Sequence, residues 1–154
     1  MRPSPSKQSR FLWLIFFLVL LCGASSLKAM EPPPLSKGQT VYVPAYSHIY
    51  HGNKETPLLL SVTLSIRNVD PHTPLTIKTV NYHETDGPLG KQYITEPVVL
   101  GPLGSERFIV PQKDNTGGSG ANFIVTWQAD KPINPPIMET VMIGTQTFYS
   151  SKVW

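Results

Sequence analysis

Tyr46, His48, Tyr50 and His51 fall within six residues, the densest run of ring-bearing polar side chains in the sequence. On an extended backbone Tyr46, His48 and Tyr50 share one face and His51 points to the other. Rings with polar tips suit recognition of sugars, peptides or flat ligands. The same pattern also suits a strand-to-loop transition, with tyrosines against a core and histidines at its rim. A metal reading uses the same side chains: His48-x-x-His51 could chelate zinc or copper if the chain turns there, with His72 and His83 completing the set. The four histidines are spread over 36 positions and show no recurring ligand spacing.

A second segment, Asn115-Thr116-Gly117-Gly118-Ser119-Gly120, has the composition of an anion cradle, because glycines let successive N–H groups converge. It lacks the Gly-Lys-Ser/Thr that opens a helix in phosphate loops, and a strand pattern follows it. The alternative is a tight turn with left-handed backbone positions. Ser119 does not stand in a Gly-x-Ser-x-Gly nucleophile elbow. Glu84 and Asp86 lie close together beside His83, as solvated acids at a turn do. No catalytic residue is expected. The ligand-binding candidates are Tyr46, His48, Tyr50 and His51, with Asn115, Thr116, Ser119 and Asn122 from the glycine segment.

The elements that must position these residues read as strands. Past residue 30 no stretch carries a helical period, and fourteen prolines and many glycines interrupt short runs of Val, Ile, Thr, Tyr and Phe. The clearest strand runs from Leu58 to Asn68, where Leu58, Leu60, Val62, Leu64 and Ile66 alternate with polar residues and only Leu59 breaks the pattern. Asn68-Val69-Asp70-Pro71 then turns. Further strands are expected at Thr40–Val43, Leu75–His83, Gln92–Leu100 with a break at Pro97, Glu106–Val110, Asn122–Gln128 and Ile137–Tyr149. Turns are expected at Asp86-Gly87-Pro88 and Gly101–Gly104, and Lys131–Pro136 reads as a proline-rich connection. About seven strands fit an immunoglobulin-like two-sheet sandwich. A small β-barrel is the alternative.

The first 29 residues are of another kind. Arg2, Lys7 and Arg10 precede an uncharged apolar run from Phe11 to Cys22, followed by small residues, which is the order of a secretory signal peptide. The run is about 18 Å long as a helix, too short for a bilayer core of about 30 Å. Cleavage is expected after Ala29 or after Ser26. Leu21 before Cys22 argues against a lipoprotein, where a small residue precedes the acylated cysteine. Glu31-Pro32-Pro33-Pro34 lies in a stiff spacer over 30–37, and a single domain over 38–154 follows.

The leader carries four basic residues and no acid, so the +3 of the whole chain becomes −1 for residues 30–154. A near-neutral domain without a basic cluster is a poor nucleic-acid binder. The one cysteine of the chain is Cys22, so the exported part has no disulfide or thiol chemistry. About 125 residues bury enough apolar surface to fold without such staples.

Four segments resemble a known family as a set: Tyr42–Gly52, Leu64–Asp70, Thr116–Val125 and Pro135–Glu139. It is a small family of exported bacterial domains described only as a domain of unknown function, and the resemblance covers residues 38–145. It implies bacterial origin and export, and supplies no activity or site residue. The expectation is a periplasmic or secreted, non-enzymatic module without a cofactor, binding an envelope protein or a small ligand. Membrane contact would come only through the leader or a lipid anchor. A histidine-based copper or zinc protein and a structural envelope subunit pairing through an edge strand are the rivals.

Overall fold

The computed structural model describes residues 33–51 and 55–145, and the described residues from Pro33 onward form one compact unit. The leader, its cleavage sites and Cys22 lie outside the described residues. Among the described residues no helix is long and apolar enough to cross a membrane.

Ten strands form: β1 (Ser36–Pro44), β2 (His48–His51), β3 (Thr56–Leu59), β4 (Ser61–Arg67), β5 (Leu75–His83), β6 (Leu89–Gln92), β7 (Val98–Leu100), β8 (Ser105–Val110), β9 (Asn122–Ile133) and β10 (Ile137–Ile143). One sheet has the order β1-β9-β5-β6, with β7 also on β5. A second has the order β10-β4-β8, and β2-β3 is a separate pair. All pairings are antiparallel. The fold is an all-β sandwich, and no sheet closes into a barrel.

Period-two patterning produces the core directly. Val62, Leu64 and Ile66 on β4 share one core with Phe123, Val125 and Trp127 on β9 and with Leu75, Ile77, Val80 and Tyr82 on the neighbouring β5, all buried. In β5 the parity shifts from Leu75 and Ile77 to Val80 and Tyr82. A bulge between Ile77 and Thr79 absorbs the extra residue, so both pairs reach the same core. Fully burying side chains of this size contributes about 1.5–3 kcal/mol each before chain entropy is offset.

Ten strands form where about seven were expected, and five expected boundaries moved. The first strand, expected at Thr40–Val43, runs Ser36–Pro44 and so begins inside the spacer expected over 30–37, because its pairing with β9 extends to Ser36 opposite Ile133. The Leu58–Asn68 run is two strands, because its partner changes at Leu60: Leu59 pairs with β2 and the Leu60 N–H donates to the Ser47 carbonyl at 2.9 Å, whereas Ser61 onward pairs with β10. Gln92–Leu100 is not one strand: β6 ends at Gln92, with one further bond from Tyr93 N–H to the Val80 carbonyl at 2.8 Å, Tyr93 and Ile94 pack inward, and β7 begins at Val98, just past the break expected at Pro97. The strand expected to end at Gln128 continues to Ile133, whose side chain is buried. Pro132 is tolerated because β5 pairs with β9 no further than Gln128. The last strand ends at Ile143, and the residues after 145 lie outside the described part.

In a constant-type immunoglobulin sandwich the first strand joins the second, and the last joins the sixth. Here the terminal strands have exchanged places: β10 lies on β4 and β1 lies on β9. Polar contacts bridge each open side of the sandwich. Tyr93 Oη donates to the Ile109 carbonyl at 3.1 Å on one side, and Thr140 Oγ1 donates to the Pro44 carbonyl at 2.6 Å on the other.

Candidate functional site

The two segments singled out by their composition meet at one end of the sandwich. Strands β1, β4 and β5 run so that Pro44, Ser61 and His83 all lie near this end, and the connections there are hydrogen-bonded together. Ala45 N–H donates to the Ala121 carbonyl at 2.9 Å, and Ser47 N–H to the Gly118 carbonyl at 3.0 Å. Ser47 Oγ in turn accepts from Gly118 N–H at 2.8 Å. Thr85, in the β5–β6 turn, donates through N–H and Oγ1 to the Gly117 carbonyl, both at 2.8 Å, and its Oγ1 accepts from Gly120 N–H at 2.9 Å. Gln112 Nε2 adds a bond to the Leu59 carbonyl at 3.1 Å.

These bonds decide what the glycine loop can do. Gly118 and Gly120 have spent their amides on hydroxyls of the protein. Thr116 has spent its N–H and its hydroxyl on the Asp114 carboxylate. An anion cradle needs such donors unpartnered and converging, and a carboxylate within the loop opposes anions further. The glycines have a packing cause instead. A Cβ at Gly117 would overlap the Tyr82 phenol oxygen and come within 2.9 Å of Ala121 Cβ. Gly118 sits at φ +81°, against the Thr85 hydroxyl. Asn115, Thr116 and Ser119 remain exposed at the rim, while Asn122 is half-buried where β9 begins, opposite Pro44 and His83.

Tyr82 lies under this loop, its ring 5.1 Å from that of Phe123 and tilted 49° to it. Its phenol is held above the usual tyrosine range by burial, with the Asp114 and Glu84 charges adding. The nearby Ser47 hydroxyl opposes the shift without an aligned hydrogen bond. Tyr93 is pushed up to about 12, again mainly by burial and then by Asp114.

From Ser47 and Leu60 the β2–β3 pair extends, with His48 opposite Leu59 and Tyr50 opposite Pro57. His48 and Tyr50 share a face as expected. Their rings meet edge to face at 5.2 Å, and His48 Nε2 lies 3.3 Å from Tyr50 Oη. Ile49 and Tyr50 are exposed, Tyr50 at 56%. Tyr46 is half-buried beside β10, its N–H on Met142 Sδ at 3.3 Å.

The histidines are not gathered. Because β2 stays extended, His48 and His51 point to opposite faces, and the chelate that a turn would have made does not form. His83 Nδ1 is engaged with the Gly87 carbonyl at 2.9 Å. His72 lies in the β4–β5 turn at the other end of the molecule. Its N–H and that of Thr73 hold the Asp70 carboxyl below its usual range, the His72 bond contributing most. Among the described residues no three His, Cys, Asp or Glu side chains are grouped to hold a metal ion.

The residues that organise this end, Ser47, Tyr82 and Thr85, were not candidates. A lone serine between two rings, and a threonine after a strand, carry no signal until the partner loop is in place. Away from this end, a shallow trough of about 410 Å³ lies on the outer face of β10-β4-β8, lined by Thr63, Ser65, Arg67, Arg107 and Val141 among others.

Neither a curated protein nor a solved structure matches the chain. One family model does, over residues 38–151, which spans every described strand but the first two residues of β1. The resemblance carried by the Tyr42–Gly52 and Thr116–Val125 segments thus holds for the whole domain, and the chain belongs to the family described as "Protein of unknown function (DUF3124)".

Proposed function

We propose that this domain is a non-enzymatic binding module of the bacterial envelope. Its N-terminal leader exports it, and the loop end of its sandwich meets an envelope protein or a small ligand. The observation that carries this reading is the rigid knot of Ser47, Thr85 and the glycine loop beneath a pair of strands that keeps Ile49 and Tyr50 in solvent. Recognition residues gain most when a fixed scaffold holds them, because little freedom is left to lose on binding. The shifted groups favour no catalytic reading, since each has a packing or turn cause. Export to the periplasm or beyond rests on the leader sequence alone, and the mass of the exported form, starting at Met30 or Leu27, tests it.

The binding reading is tested with photo-reactive side chains placed at Ile49 and Tyr50 in the producing cell, with Lys78 and Lys131 as control positions. A discrete adduct from the first two and none from the controls supports the reading. Equal adducts at all four positions count against it. So does a His48→Ala, Tyr50→Ala double variant that keeps the same adduct.

A further inference from the structure

We propose that β10 is a self-complementary edge, through which two copies of this chain pair antiparallel about a two-fold axis at Thr140. Their three-stranded sheets then become one sheet of six.

Exposed edges invite pairing, and proteins ordinarily blunt them with short strands, bulges, prolines or charges. Most edges here are blunted. β1 carries Lys37, has a register irregularity between Ser36 and Gly38, and ends at Pro44. β6 and β7 have four and three residues. β8 gives its Ile109 carbonyl to Tyr93 and carries Glu106 and Arg107. β10 has none of these protections except one charge, Glu139, which is already paired within its own chain. It runs seven residues in unbroken register on β4, with no proline and no basic residue. On its other side, no backbone hydrogen bond to a described residue is formed. Its outward side chains Ile137, Val141 and Ile143 are 51%, 53% and 61% exposed.

The sequence of β10 identifies the occupant. Ile137-Met138-Glu139-Thr140-Val141-Met142-Ile143 reads nearly the same in both directions. A two-fold axis through Thr140 places Ile137 opposite the partner's Ile143 and Met138 opposite the partner's Met142. Thr140 meets its own copy. A two-fold axis makes every contact reciprocal whatever the sequence; the near-palindrome adds that like residues meet like, apolar on apolar, which pairing with a different strand would not provide.

The charges agree. Glu139, the one charged residue of the strand, is already held by Arg67 of its own chain at 2.9 Å. Its new neighbour would be the partner's Val141, so no uncompensated charge enters the junction. On the inner side, the Thr140–Pro44 and Tyr46–Met142 contacts hold the strand in place before any partner arrives. Seven residues a side is well short of the roughly 20–30 of a standard interface. The dimer should therefore be weak and depend on concentration.

The test is sedimentation velocity of the full chain as purified from its cell, from micromolar to millimolar concentration, on wild type, Val141→Glu and Val141→Lys. Residue 141 is exposed, so both variants should keep the wild-type unfolding curve. In the proposed register Val141→Glu sets two like-charge pairs against Glu139, weakening dimerisation by roughly tenfold. Val141→Lys sets opposite charges in the same places, and leaves it unchanged or tighter. Mixing Ile137→Cys with Ile143→Cys protein should give a mixed disulfide that neither forms alone. A wild type that stays monomeric throughout overturns the proposal, leaving the edge to residues 146–154 or to a different protein. A dimer insensitive to both changes, or weakened equally by both, also overturns it.

Discussion

The glycine loop and the β2–β3 pair lie side by side, and opposite physics explains their unusual compositions. The loop is glycine-rich because the Tyr82 ring, Ala121 and Thr85 leave no room for a Cβ, and its Gly118 and Gly120 amides are already bonded within the protein. The pair is ring-rich with no comparable packing demand, since Ile49 and Tyr50 stay in solvent and His48 meets Tyr50 rather than the core. A composition that looks chemical can thus be a packing requirement. The residues to suspect of a role outside the fold are those the fold does not use.

The largest effect that would sharpen this contrast is expected at Gly117. Gly117→Ala should cost about 1–3 kcal/mol in denaturant unfolding, the usual cost of overpacking a filled site. Combining it with Tyr82→Phe, which removes the overlapping oxygen but leaves the ring carbon at 2.6 Å and Ala121 Cβ at 2.9 Å, should recover part of that loss. Full cost persisting in the double variant would mean that the loop is not shaped by Tyr82.

A smaller, local effect is expected at high pH. Tyr82 and Tyr93 ionise later in the folded protein than in the unfolded chain. The folded state therefore holds more protons, and stability must fall as pH rises from about 10 to about 12. Amide exchange corrected for pH should rise first in the glycine loop over Tyr82, with the β2–β3 pair unaffected. Tyr93→Phe should remove part of the pH dependence. A flat stability profile above pH 10 would break the assignment.

The smallest effect is expected in the exposed pair. Ile49→Ala and Tyr50→Ala should each stay within about 0.5 kcal/mol of wild type, as surface changes usually do. A loss above about 1 kcal/mol at Tyr50 would show that the ring serves the fold, and would end the contrast drawn here.

Strand identity was legible wherever one face is dry and the other wet. β5 has the ends expected of it, β8 starts one residue early, and β4 ends one residue short of Asn68, although its start falls three residues past Leu58. Ser65, Thr63 and Arg67 mark the outer face of β4 as clearly as Val62, Leu64 and Ile66 mark the inner. The misplaced boundaries depended on distant partners. Leu60 is as apolar as its neighbours, but its N–H is claimed by Ser47. Lys131 and Pro132 look like loop residues, yet Ile133 is drawn into the core beyond them. Of the candidate site, the shared face of His48 and Tyr50 was readable. The occupied amides of the glycine loop were not.

By itself, then, the order of residues determined the all-β class, the existence of a core, the loss of net positive charge beyond residue 29 and the palindrome of β10, because these depend on local period and composition. Tertiary structure alone decided that the two candidate segments touch, that the histidines stay apart and that β10 has an open side. Each of those facts is a distance between residues far apart in the chain. Such distances are set by which sheet each strand joins, and no local period encodes that choice.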